Sequence, residues 1–137
     1  MIFAFLVQTP LYDMIEAREI EGGLYNGYVG FLGTLPESYQ SGGNGELDDL
    51  INIHGGITFD SMCDMSKPWR SERIPITECP SEGIYRVVGF DTLHCDDNMF
   101  MWNFENTKTE TLSLLEQIAT LLAKNEILRI QKYEDNN

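Results

Sequence analysis

Ile84-Tyr-Arg-Val-Val-Gly-Phe90 runs without a break into Asp91-Thr-Leu-His-Cys-Asp-Asp97. The first half is β-branched and aromatic, holds no Pro, and is the clearest strand in the chain. Downstream, Leu112, Leu115, Ile118, Ala119 and Leu122 recur at helical spacing, with Leu114, Leu121 and Leu128 widening the stripe, so a long helix follows. Thr107-x-x-Glu110 reads as its capping-box start, and the tail 133–137 is expected to fray. Upstream, Ile2–Val7 and Tyr25–Leu32 read as strands. Asp13–Ile20 reads as a short helix stopped by Gly22-Gly23, and Pro36–Gly45 as a loop. Leu47–Ile53 leading into His54–Phe59 reads as strand, tight glycine turn, strand. Ser61–Glu82, with Pro68, Pro75 and Pro80, reads as a long excursion with one short helix or edge strand. The fold class expected is α+β: a small, mainly antiparallel sheet with a long C-terminal helix packed on it, in one domain over 1–137.

The bulk composition agrees with a packed core: 137 residues, 42% hydrophobic, with seven Phe, six Tyr and two Trp. Met1–Val7 is apolar without a basic leader and reads as a buried strand, not a signal segment. No apolar run is long enough to span a bilayer. Cys63, Cys79 and Cys95 are an odd set with no CxxC, a poor disulfide framework and a poor zinc set. These points set the expectation of a cytoplasmic protein. Nine basic residues face twenty-two acidic ones, a net charge of −13. Residues 1–64 hold ten carboxylates against Arg18 alone. Such a field repels nucleic acid and anionic lipid and attracts a basic protein surface.

Two segments carry metal-binding chemistry. His54 precedes Gly55-Gly56 at a strand end, where glycines let the backbone turn sharply and present the ring. Asp91, His94 and Asp97 follow the best strand at i, i+3 and i+6, a spacing that a tight turn can converge. Carboxylates gathered at a strand end repel one another unless a cation sits among them. Two imidazoles and two carboxylates form a mixed nitrogen and oxygen set suited to Zn2+, with Mn2+ or Fe2+ as alternatives. The competing reading of the same residues is a hydrogen-bonded turn with solvated acids.

His54-Gly-Gly-Ile-Thr58 and Gly89-Phe-Asp-Thr-Leu-His-Cys-Asp-Asp97, with an earlier Asn26-Gly-Tyr28, resemble a family of small phage and bacterial proteins. Its pattern is HGG-[IL]-T followed by GFD-x-x-H-x-x-D, and the resemblance spans about residues 25–118. The chain departs from that pattern at Thr92, where Cys is frequent, and at Asp96, where Gly is frequent. Cys95 adjoins the ligand candidate His94 and is kept as an extra donor. The chain is also similar in type to zinc-containing anti-CRISPR proteins that inhibit the type II effector nuclease. That resemblance implies His54, Asp91, His94 and Asp97 for the metal and an acidic face for the partner. The partner is then the basic surface of a host CRISPR effector nuclease, which holds its heteroduplex in a positively charged channel. Glu46, Asp48 and Asp49 are the candidate docking carboxylates.

Two other classes compete with the inhibitor. One is a metal-dependent hydrolase of a phosphorylated or nucleotide substrate, with a metal-bound water and Glu110 or Asp96 as base. Arg86 is the only basic residue near the motifs, which weakens a phosphate substrate. The other is a purely structural metal site in a virion or regulatory protein. There is no G-x-S-x-G elbow, Walker A or G-x-G-x-x-G pattern, and Gly42-Gly43-Asn-Gly45 reads as a flexible loop.

Overall fold

A computed structural model describes residues 1–11, 22–39, 45–69 and 71–136. These form β1 (Ile2–Gln8), β2 (Tyr25–Phe31), one helical turn α1 (Leu47–Leu50), β3 (Phe59–Asp64), β4 (Arg73–Pro75), β5 (Ile84–Phe90) and α2 (Phe104–Asp135). The strands make one antiparallel sheet in the order β3-β5-β2-β1-β4, and α2 packs against β1 and β2. The fold is therefore α+β.

β1 is an unbroken apolar run because both of its faces are covered. Ala4 joins Val29, Phe31, Val88 and Phe90 in the core shared with Leu114 and Ile118 of α2. Phe3, Phe5 and Val7 point the other way, into a cluster with Met65, Val87, Tyr28, Trp69 and Cys79. The proline-bearing excursion after β3 thus forms a third layer over the back of the sheet. It contributes β4 at one edge, while β3, beginning at Phe59, forms the other. One short edge element was expected in this region; both edges arise from it and its approach. Burial pushes the Cys63 and Cys79 thiols above their ordinary range despite the nearby Arg73 cation. They stay protonated and act as apolar fill.

Two expectations are corrected. Leu47–Ile53 is not a strand: Leu47–Leu50 turns once as helix, and Ile51 is extended but outside the sheet. The capping box at Thr107 is not used. Asn103 caps α2, its side-chain oxygen accepting from the Asn106 N–H at 2.9 Å. Thr107 and Thr111 instead face the sheet, each hydroxyl donating at 2.7 Å to the carbonyl four residues earlier. Small, internally satisfied side chains let the helix come close, and Gly27 of β2 completes that approach: a Cβ there would run into Thr111 Oγ1 and the Phe90 ring. α2 runs to Asp135. From Ala123 onward it is mostly solvated, with Ile127, Leu128, Ile130 and Tyr133 exposed. The helix expected at Asp13–Ile20 lies outside the described residues.

The packing separates two leucine-like positions that the periodicity treats alike. Ile118→Ala should cost about 2–5 kcal/mol in urea unfolding, as deletion of a fully buried side chain does. Leu128→Ala should stay within about 0.5 kcal/mol. Similar losses at both positions would contradict this placement of α2.

Candidate metal centre

The site forms where the chain leaves β5. The Asp91 N–H donates to Thr58 Oγ1 at 3.1 Å, and Asp91 Oδ1 accepts from the Leu93 N–H at 3.0 Å, closing a local turn. Thr92 turns inward and is fully buried; its N–H donates to Asn26 Oδ1 at 2.9 Å and its hydroxyl to the Tyr25 carbonyl at 2.7 Å. This anchor fixes the loop to the start of β2. His94 and Asp97 then form a second turn: the Asp97 N–H reaches the His94 carbonyl at 3.1 Å, and Asp97 Oδ2 accepts from the His94 N–H at 2.9 Å. Asp96 lies inside that turn with φ +70, the only non-glycine residue in the left-handed region among those described.

His54 comes from the segment between α1 and β3. A turn closed by the Gly56 N–H and the Ile53 carbonyl carries it, with Gly55 at φ +68. Gly55 is required twice over: L side chains avoid that φ, and a Cβ there would collide with His94 Nε2. The His54 ring lies over Trp102 with centroids 4.2 Å apart and 5.5 Å from the His94 ring centroid.

His54, Asp91, His94 and Asp97 are therefore brought together from two loops. His54 Nε2 is 2.8 Å from Asp97 Oδ1, and His94 Nε2 is 3.2 Å from Asp91 Oδ1. These are ion-pair distances, yet neither meets hydrogen-bond geometry, and both Nε2 atoms are buried with no hydrogen-bond partner. Geometry outranks distance here, because an N–H that does not point at its acceptor forms no strong bond. The convergence is pairwise. Among the described residues no group of three or more His, Cys, Asp or Glu side chains is already set around one ion position. Asp97 is buried at 5% exposure, while His94 and Asp91 keep about a third of their side-chain surface exposed.

Glu46, Asp48 and Asp49 are all exposed on and beside α1, which is held by the buried Leu47. Cys95 is exposed. Glu110 is neither free nor in a capping box: its Oε1 accepts from the His54 N–H at 3.0 Å. Arg86 is held by Asp60 through two contacts, at 3.0 and 2.9 Å, and also donates to the Tyr39 carbonyl. Sequence reasoning missed Trp102, which sits outside any motif; Gln117 belongs, with Glu110 and Ile118, to the motif resemblance, but its contact with Asn52 was not foreseen. The chain matches no protein-family model, no curated protein and no solved structure.

The two turn glycines provide an internal control. Gly56 also has a positive φ, +76, but a Cβ there meets nothing. Gly56→Ala should cost about 1–2 kcal/mol, the price of left-handed backbone alone. Gly55→Ala should cost more and should shift the His94 ring resonances. Equal costs and an unmoved His94 would show that the two loops do not touch as described.

Proposed function

We propose that His54, Asp91, His94 and Asp97 hold one divalent cation, Zn2+ first and Mn2+ or Fe2+ as alternatives. In this reading the protein is an acidic, phage-type binding protein that inhibits a host nucleic-acid enzyme. The observation that carries the metal is the pair of buried imidazole nitrogens without hydrogen bonds, each beside a carboxylate oxygen. A buried polar atom left unsatisfied costs about 1–3 kcal/mol. A cation removes that cost at both nitrogens and neutralises both carboxylates. Donors bound to zinc at about 2.0–2.2 Å stand roughly 3.3 Å apart in a tetrahedron, and the two nitrogen–oxygen pairs stand at 2.8 and 3.2 Å.

The partner follows from charge and exposure. Glu46, Asp48 and Asp49 form an outward acidic ledge on a protein of net charge −13. A basic surface is the complement, and the type II CRISPR effector nuclease, with its positively charged channel, is the first partner to test. One physical point supports the motif resemblance. The position where that family often has Gly is Asp96, whose φ of +70 glycine adopts most readily.

A second reading, a metal-dependent hydrolase, is favoured by the partial exposure of His94 and Asp91, which leaves one side of the ion open to water. Asp96 would then be the base, since Glu110 holds backbone. Against a phosphate substrate stands Arg86, already neutralised by Asp60.

Purified protein should carry close to one equivalent of zinc, and His54→Ala and His94→Ala should lose it. Chelation should lower the melting temperature of the wild type, because ligands bound only to the folded state stabilise it. Metal retained in both variants would remove the centre.

Docking is tested separately, by titrating a guide-loaded nuclease cleavage reaction. Wild type should inhibit, less so as salt rises. Replacing Glu46, Asp48 and Asp49 with Lys should weaken inhibition without lowering metal content. Absence of inhibition by the wild type would sink this partner, and turnover of a phosphoester by the pure protein would favour the hydrolase.

A further inference from the structure

Ile51 is extended, and residues 51–53 belong to no sheet, so their backbone groups need another partner. α2 supplies it. Gln117 takes both sides of Asn52: its Oε1 accepts from the Asn52 N–H at 2.7 Å, and its Nε2 donates to the Asn52 carbonyl at 3.0 Å. A second hydrogen on Nε2 reaches Ser113 Oγ at 3.2 Å, which fixes the orientation of the amide. Two residues on, the His54 N–H donates to Glu110 Oε1. In extended chain the N–H groups of alternate residues point the same way. Residues seven apart lie on one face of a helix, two turns from each other. Two extended residues span about 6.8 Å and seven helical residues about 10.5 Å, a difference that the long Glu and Gln side chains take up, so the helix side chains act in place of a neighbouring strand.

We propose that Glu110 and Gln117 are positioning residues that hold the 52–54 backbone on α2 and thereby aim His54 Nε2 at Asp97 and the cation. This rests on the metal reading above and assigns Glu110 a role distinct from both ligand and general base. The chemistry of the contact distinguishes these roles. A backbone N–H needs only an acceptor, which a glutamine carbonyl supplies as well as a carboxylate. A metal ligand or a base needs the carboxylate itself.

Cobalt(II), bound in place of zinc, reports both affinity and ligand geometry through its visible absorption. Glu110→Ala and Gln117→Ala should weaken cobalt binding by about 10–100-fold, as loss of groups that orient a ligand does. Both should also alter the cobalt spectrum. Glu110→Gln should bind within about threefold of wild type with an unchanged spectrum. Equal weakening in Glu110→Ala and Glu110→Gln would make Glu110 a ligand and overturn the proposal; wild-type binding in both would overturn it as well. Amide hydrogen exchange on the metal-free protein gives a separate reading. The His54 amide should exchange faster in Glu110→Ala and remain protected in Glu110→Gln. Wild type that takes up no cobalt would sink the metal reading, and the exchange arm would then decide alone: unchanged exchange at His54 in Glu110→Ala overturns the positioning role.

Discussion

The buried carboxylate of Asp97 is the constraint around which this molecule is arranged. Taking a carboxylate out of water costs several kcal/mol unless hydrogen bonds and an opposite charge compensate. One oxygen accepts from the His94 N–H and the other faces His54 Nε2, while the Asp97 carbonyl accepts from the Gly22 N–H beside the start of β2. Three separate parts of the chain therefore meet at one residue. Among the described residues no Lys or Arg forms an ion pair with it; the group that faces it is His54 Nε2, at 2.8 Å.

The sheet and helix serve that joint. Thr92 ties the β5 exit to the start of β2, and Gly27 lets α2 lie close enough for Glu110 and Gln117 to reach the segment before His54. The back layer of aromatic residues over Phe3 and Phe5 is distant in role: it buries the second face of β1, opposite the face that α2 covers. Charge is distributed to match. The candidate docking acids are on α1, and Arg86, the cation nearest the motifs in sequence, is neutralised within the sheet.

β1, β2 and β5 were legible because each is apolar or β-branched over its length and bounded by turn residues. The pairing of His54 with Asp97 and of His94 with Asp91 involves residues that stood out by their types and their places at strand ends. Elements decided by tertiary contact were not. Thr107-x-x-Glu110 has the capping-box pattern, but Asn103 caps earlier and burial of Thr107 against the sheet wins. Ile51–Ile53 has strand composition, yet helix side chains take its hydrogen bonds instead of a strand. Leu128 fits the helical stripe, but by then α2 has run past the sheet. Periodicity reports which side of a helix is apolar, not where its partner ends.

The most direct test of the metal centre is X-ray absorption at the zinc edge on protein purified with its metal. The account predicts a first shell of nitrogen and oxygen only, at about 2.0–2.2 Å, with outer-shell scattering from two imidazoles. That pattern should be lost in His54→Ala. A sulfur shell at about 2.3 Å would place Cys95 or another thiol on the ion. That result, or wild-type protein with no bound metal at all, would contradict it.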